Sequence, residues 1–280
     1  MRKIHARQIT SIISELCIEA NTNLRSDVKR ALRLSLARED NPRARGILQM
    51  LLDNAACARK FKLAICQDTG LPCVFVKLGQ EVLIVGGDFL KAINKGVEEG
   101  YRKGYLRNSI TAHPLKRKTT PGFSPAVVTV EIVKGAHLEL AVLPKGFGCE
   151  NKSALRMFKP SEGPEKIKDF IIREVKLAGS EACPPFIVGV GIGATSDRAA
   201  SLAKEALLRP LKRKNSDKIV AKLEKELLNK INRLGIGPMG LGGKTTCLGV
   251  NVLTAPTHIA GLPVAINISC HALRSASRRI

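Results

Sequence analysis

The sequence has no tryptophan and only two tyrosines among its 280 residues. Proteins that bind single-stranded nucleic acids stack the bases on aromatic side chains, so this scarcity argues against such a surface. No apolar run approaches the roughly 18 residues of a membrane span. The basic start at residues 1–7 leads directly into a helical pattern and lacks the apolar segment of a signal peptide. We therefore expect a cytoplasmic protein that does not enter a membrane.

Acidic residues are also few, with 24 Asp and Glu against 46 Lys and Arg and a net charge of +22. An excess of this size is compatible with nucleic-acid binding, which we keep as a distant alternative. The basic residues are scattered in short groups, such as residues 116–118, 209–214 and 274–279, and do not form one block. An acidic partner subunit or an anionic substrate accounts for the charge equally well.

The eight cysteines form no C-x-x-C pair, which argues against a zinc ribbon, and they are too sparse for a disulfide scaffold. Cys17 and Cys57 lie in helical patterns typical of core residues. Three isolated cysteines share a placement, since Cys66 and Cys270 end predicted strands and Cys183 begins one. Three thiolates would leave one position of a four-ligand metal site open to a substrate. The competing interpretation, that these are structural thiols and that an ordinary turn follows Cys66, stays open at this point.

With 44% hydrophobic residues, the chain is able to bury a substantial core. Apolar periodicity predicts helices over residues 1 to about 60, the third of which opens at Asn41-Pro42, and strands and helices alternate from residue 61 onward. Asp88 is predicted to cap a helix that runs to about Lys103. We predict an α+β fold in which a helical N-terminal layer packs on a mixed sheet within one domain, residues 1–280. The strands predicted in the first half are Phe61–Cys66, Cys73–Leu78, Val82–Val85 and an antiparallel hairpin of residues 125–133 and 137–143.

Two glycine-rich segments look like nucleotide-binding loops but fail on spacing. Gly237–Thr245 has Pro238 where a phosphate loop requires glycine, and it follows a predicted helix rather than a strand. We interpret it as a turn whose amides and Lys244 could face an anion. The pattern Gly189-x-Gly-x-Gly has its third glycine too early for a dinucleotide fingerprint, so we interpret it as the approach to a capped helix.

Five motifs nevertheless occur in an order that is typical of one protein family. They resemble those of the α subunits of iron–sulfur hydro-lyases, the family of class I fumarate hydratase and L(+)-tartrate dehydratase, over nearly the whole chain. In sequence order they are Cys-Gln-Asp-Thr-Gly (66–70), Lys-Gly-x-Gly-x-Glu-Asn (145–151), Ala-Cys-Pro-Pro (182–185), Gly-Ile-Gly-x-Thr-Ser (191–196) and Gly-Pro-Met-Gly-Leu-Gly-Gly-Lys-Thr-Thr (237–246).

The resemblance implies a cofactor and a set of site residues. Cys66, Cys183 and Cys270 match the three ligands of a [4Fe–4S] cluster, whose open iron acts as a Lewis acid on the substrate. Asp68 and His258 match catalytic positions, and Arg107 would pair with a substrate carboxylate. The residues that match substrate-binding positions are Gln67, Asp68, Arg107, Gly148 and His258.

The chain departs from the family pattern at Phe147 and Cys149, which replace a glycine and a serine, and at residues 119–122. We do not count Cys149 as a cluster ligand. In the family, the base that removes the substrate proton lies in a second domain, so the resemblance implies a β subunit as partner, in an α2β2 assembly. We expect a fumarate hydratase of central metabolism, acting on a small dicarboxylate, with L(+)-tartrate dehydratase as the alternative.

Overall fold

The computed structural model describes residues 1–280. Ten strands and eight α-helices alternate along the chain, and short 3₁₀ turns join some of them. In chain order the elements are β1 (Arg2–His5), α1 (Ala6–Thr22), α2 (Ser26–Arg38), α3 (Pro42–Phe61), β2 (Leu71–Gly79), β3 (Val82–Val85), α4 (Phe89–Lys103), β4 (Val127–Val133), β5 (Leu138–Lys145), α5 (Phe147–Glu150), β6 (Ala154–Phe158), α6 (Gly163–Ala178), β7 (Phe186–Ala194), α7 (Ser196–Ala206), α8 (Lys218–Asn232), β8 (Cys247–Thr257), β9 (Leu262–Ser269) and β10 (Ala276–Arg279).

The chain divides into two compact units. The first unit comprises Met1–Arg25, Ala55–Phe147 and Arg274–Ile280, and the second comprises Ser26–Asn54 and Gly148–Leu273. Each unit has its own four-stranded mixed sheet and its own apolar core. The predicted α+β class is confirmed, whereas the assignment of residues 1–280 to a single domain stays a prediction.

In the first unit, helices α1 and α4 pack closely on each other. Their apolar faces bury Ile9, Ile13 and Ile93 completely. The close approach depends on glycine, because a Cβ added to Gly96 or Gly100 would lie 2.6 Å from a carbonyl oxygen of α1. Helix α4 begins where the sequence indicates, since the side chain of its N-cap residue Asp88 accepts a hydrogen bond from the Lys91 amide.

The sheet of the first unit has the strand order β10-β5-β2-β4. Strand β2 lies between β4 and β5, parallel to the former and antiparallel to the latter. The two strands that we predicted as a hairpin therefore exist but do not pair, and the hairpin prediction is wrong. The burial of the strands agrees with this order, because β2 and β5 hold the inner positions and are largely buried, whereas β4 lies at the edge of the sheet and is mostly exposed.

The predicted strand Phe61–Cys66 is also wrong. Helix α3 continues through Phe61, and residues 62–70 form a loop before β2. Leu63 is 57% exposed and only Ile65 in this run is buried, so the run lacks the burial that a central strand needs. At the N-terminus, β1 pairs in parallel with β3, a short strand where the periodicity predicted only helix.

The second unit has the strand order β6-β9-β7-β8. One face of this sheet contributes to a core with apolar residues of α6 and α8, and α7 packs on Gly189, Gly191 and Ala265. A Cβ on either glycine would lie 2.1 Å from a carbonyl oxygen of α7. The Gly-x-Gly pattern therefore permits close packing between helix and sheet, which agrees with our rejection of a dinucleotide fingerprint. No helix in either unit combines the length and the apolar character needed to cross a membrane.

Candidate active site

The Cys66–Gly70 segment forms a short loop in the first unit, which we call the cysteine loop. Cys66 is half-buried, Gln67 is exposed, and the loop is anchored at its start by the Ile65 amide, which donates to the Asn21 carbonyl at 2.9 Å. It ends at Gly70, which has φ +77° and lies against the end of β5. A Cβ on Gly70 would lie 2.7 Å from the Pro144 carbonyl carbon, so glycine is required here by both conformation and space.

Asp68 is held in the cysteine loop by hydrogen bonds to both its side chain and its backbone. Its Oδ1 accepts a hydrogen bond from the Gly70 amide at 2.9 Å, and its Oδ2 accepts one from the Phe147 amide at 2.8 Å. Its carbonyl oxygen accepts a hydrogen bond from Nη1 of Arg274 at 2.5 Å. A carboxylate offers about four acceptor sites, so these two amide bonds fix its orientation and leave acceptor capacity for a ligand.

Arg107 is tied to the same loop through Thr69. The buried Thr69 hydroxyl accepts from the Arg107 amide at 3.0 Å and donates to the Arg107 carbonyl at 3.1 Å, while the Arg107 side chain is exposed. The buried Tyr101 hydroxyl lies 2.9 Å from the Thr69 carbonyl and 3.1 Å from the Gly70 carbonyl. The first unit thus brings Cys66, Asp68 and Arg107 together, whereas the roles of Thr69 and Tyr101 were missed by sequence reasoning.

In the second unit, strand pairing brings Cys183 and Cys270 to neighbouring positions. Strands β7 and β9 are antiparallel, with Ile187 opposite Ser269, so the residues before β7 meet those after β9. The Cys183 carbonyl accepts a hydrogen bond from the His271 amide at 3.4 Å and lies 3.1 Å from Nδ1 of the same histidine. Cys183 precedes the strand by three residues, and Cys270 directly follows its strand as predicted.

The second unit also contains the two predicted substrate residues Gly148 and His258, and both are exposed. Gly148 is in the first turn of α5, next to Cys149, which is buried and donates its thiol hydrogen to the Ala182 carbonyl. His258 lies in the turn between β8 and β9, where its Nδ1 accepts a hydrogen bond from the Ala260 amide at 3.1 Å. In neutral His258 the ring proton therefore lies on Nε2, which is left as a donor.

The eight cysteines differ in exposure. Cys66, Cys183 and Cys270 are the three of intermediate exposure, while Cys57 is exposed and the others are buried. Burial raises the pKa of the Cys17 and Cys247 thiols to about 12, which disfavours the thiolate that a metal requires. The three half-buried cysteines are therefore the better suited in this chain to act as soft ligands. In the structure as it stands, no group of three or more His, Cys, Asp or Glu side chains is arranged to hold a metal ion.

In the glycine-rich turn at Gly237–Thr245, Lys244 is bonded to carboxylates of this chain. The Lys244 side chain forms an ion pair with Asp40, and its amide donates to buried Glu39 at 2.7 Å. A Cβ on Gly237 would lie 1.7 Å from the Gly242 carbonyl oxygen, so the glycines serve a tight turn. The Lys244 amide and side chain thus both face carboxylates of this chain, and whether they also meet an external anion stays a prediction.

Comparison with known proteins places these features in one family. A family model described as fumarate hydratase (Fumerase) matches residues 10–279. A protein of Methanocaldococcus jannaschii, provisionally named an L(+)-tartrate dehydratase subunit alpha, is 42% identical over 98% of both chains. The L(+)-tartrate dehydratase subunit alpha of Escherichia coli (strain K12) is 31% identical over 95% of this chain and 89% of the relative. That of Escherichia coli (strain UTI89 / UPEC) is 30% identical over 98% of this chain and 91% of the relative.

Proposed function

This chain belongs to the fumarate hydratase (Fumerase) family of iron–sulfur hydro-lyases, and from that premise we propose that it is the α subunit of an L(+)-tartrate dehydratase. Such an enzyme removes water from L(+)-tartrate to give oxaloacetate. The sequence alone led us to expect fumarate hydratase first. The names of the relatives favour the alternative, and the family match favours either enzyme over a nucleic-acid-binding protein.

We propose that Cys66, Cys183 and Cys270 hold a [4Fe–4S] cluster. The observation that carries this proposal is their exposure: these are the three cysteines of intermediate exposure, and they are also the three that match the family's ligand positions. The thiols fit the donor set, because iron–sulfur clusters are held by cysteine thiolates. When bound, a cluster with one iron open to substrate supplies a Lewis acid that polarises a substrate hydroxyl group.

The residues of the first unit would bind and orient the substrate. The exposed Arg107 guanidinium is free to form two parallel hydrogen bonds with a substrate carboxylate, while its backbone is fixed by Thr69. Asp68 would accept a hydrogen bond from a substrate hydroxyl through the acceptor capacity that the Gly70 and Phe147 amides leave. The amide of exposed Gln67 would add a further polar contact. Asp68 thus acts as a fixed acceptor that orients the hydroxyl.

Two further residues, His258 and Gly148, would also contact the substrate. Nε2 of His258 carries the proton of the neutral ring and would donate to a substrate oxygen, and the backbone of Gly148 would contact the substrate. A base must still remove the proton from the carbon adjacent to the one that bears the departing hydroxyl. We propose that this base belongs to a β subunit, since the relatives are named subunit alpha. An α2β2 assembly in the cytoplasm, formed of single-domain α subunits, is the arrangement that we expect.

The proposed function is tested by producing the chain together with its β subunit without oxygen and assaying L(+)-tartrate, malate and fumarate. We expect dehydration of L(+)-tartrate at the highest kcat/KM. A higher kcat/KM for malate or fumarate would restore the fumarate hydratase assignment, and no activity on any of the three substrates by an iron-loaded complex would overturn the family-based function.

The ligand assignment has a separate test. Ala substitution of Cys66, Cys183 or Cys270 should abolish the iron and sulfide content and the visible absorption of the anaerobically reconstituted protein. Cys57→Ala is the matched control, because this exposed thiol lies in helix α3 and should leave iron content unchanged. Full iron content in any of the three variants would remove that cysteine from the ligand set.

A further inference from the structure

Arg274 belongs to the C-terminal basic group but differs from its neighbours by being buried. It is 4% exposed, whereas the side chain of Arg278 is 39% exposed and pairs with Glu15 at the surface. Nη1 of Arg274 donates to the Asp68 carbonyl at 2.5 Å and to Oδ1 of Asn21 at 3.3 Å. The guanidinium therefore contacts the cysteine loop from the interior of the first unit.

The second arm of the guanidinium and the Asp68 carboxylate both lie near Gly146. A Cβ built on Gly146 would lie 3.3 Å from Nη2 of Arg274 and 3.1 Å from Oδ2 of Asp68. The space that the missing Gly146 side chain leaves is thus bordered by both groups. The Asn21 carbonyl also accepts a hydrogen bond from the Ile65 amide. Asn21 therefore contacts the chain just before Cys66, and Arg274, which is bonded to Asn21, contacts it just after, at Asp68.

Stability alone does not account for this arrangement. The Nε–H of Arg274 is buried and has no hydrogen-bond partner. A buried charge with an unsatisfied donor carries a desolvation penalty, and replacing such a group by an apolar residue of similar size is often neutral or stabilising. The hydrogen bonds that the guanidinium does make go to the Asp68 carbonyl and to Asn21, whose own carbonyl holds the Ile65 amide at the start of the loop.

We propose that Arg274 is a positioning residue, whose buried guanidinium holds the Asp68 carbonyl and thereby fixes the orientation of the Cys66–Gly70 loop. The residue does not touch the substrate and acts through Asp68 and Cys66. This inference rests on the proposed function, which gives the two residues of the loop their roles.

The test uses the assembled α and β complex with Arg274→Met, which keeps the approximate length of the side chain, and Arg274→Lys, which keeps the charge but not the fork. Arg278→Met is the matched control, because it removes a guanidinium from the same C-terminal segment without touching the loop. Amide hydrogen exchange of the peptide covering residues 62–70 reports loop order without any substrate, and kcat and KM for L(+)-tartrate report function.

We expect loop exchange to rise about tenfold in Arg274→Met at an unchanged unfolding temperature. We expect kcat to fall about a hundredfold, a loss typical of a misplacement of about 1 Å, with a much smaller change in KM. Arg274→Lys should recover part of both, and Arg278→Met should change neither. If Arg274→Met does not fold, the same two measurements are made on Arg274→Lys, where faster loop exchange and a lower kcat than in wild type support the proposal.

Unchanged hydrogen exchange of the loop in folded Arg274→Met would overturn the positioning role. A fall in kcat that is fully explained by a smaller fraction of folded protein would overturn it as well. Failure of the proposed function looks different. In that case the wild-type complex has no activity on L(+)-tartrate, yet loop exchange still rises in Arg274→Met and not in Arg278→Met, which supports the positioning of the loop by itself.

Discussion

Replacing Gly70 by alanine should be one of the most damaging single-methyl changes in the first unit. Gly70 has φ +77°, a conformation that costs an L-residue about 1–2 kcal/mol. The added Cβ would also lie 2.7–2.8 Å from three backbone atoms of Pro144 and Lys145, where ordinary contacts begin at 3.4 Å. Overpacking of this kind costs about 1–3 kcal/mol. The two effects together predict a loss of about 2–5 kcal/mol in the free energy of unfolding.

Gly135→Ala separates the two contributions within the same unit. Gly135 also has positive φ, at +97°, but its added Cβ would be 3.4 Å from the nearest atom, which belongs to the His137 side chain. Only the conformational cost applies there, so we expect a loss of about 1–2 kcal/mol. Urea denaturation of both variants, followed by circular dichroism and by the loop peptide in hydrogen exchange, measures the difference.

A Gly70→Ala variant as stable as Gly135→Ala would refute the reasoning, because it would mean that the cysteine loop does not lie against the end of β5. Loss of activity without loss of stability would refute the predicted steric cost, because it would show that the loop moves to accommodate the methyl group. We expect activity and stability to fall together, since the Asp68 carboxylate accepts a hydrogen bond from the Gly70 amide and the Arg107 amide is bonded to the adjacent Thr69.

Four further predictions concern single side chains. Tyr101→Phe removes the hydroxyl that lies within hydrogen-bond distance of two carbonyls of the cysteine loop and should cost about 1–3 kcal/mol, measured by urea denaturation. Asp88→Ala removes the N-cap of α4 and should lower the free energy of unfolding by about 1 kcal/mol, with Asp88→Asn losing less. Burial raises the pKa of Cys17 from 9.0 to about 12, so its thiol ionises near pH 9 only in the unfolded chain; stability should therefore fall as pH rises above 9 in wild type and less so in Cys17→Ala. At pH 8 iodoacetamide should label exposed Cys57 and leave Cys17 unmodified unless the protein is unfolded.

The order of the motifs was sufficient to identify the family and to name the candidate ligands, because motif spacing is a property of the sequence. Local chemistry was also readable: Asp88 starts a helix, and Asn41 caps α3 by accepting hydrogen bonds from the Arg43 and Ala44 amides. These features depend on residues within one helical turn, whose contacts are set by the backbone itself.

Strand order, cysteine exposure and long-range contacts were decided only by the tertiary structure. The sequence predicted β4 and β5 as a hairpin, but β2 separates them, since strand order depends on burial across the whole sheet. The exposure that distinguishes Cys66, Cys183 and Cys270 from buried Cys17 is likewise invisible in an apolar pattern. Arg274 looked like one more surface cation, and only its contact with Asp68, 206 residues away in the chain, makes it part of the site. Contacts of such separation follow from packing, which no local pattern encodes.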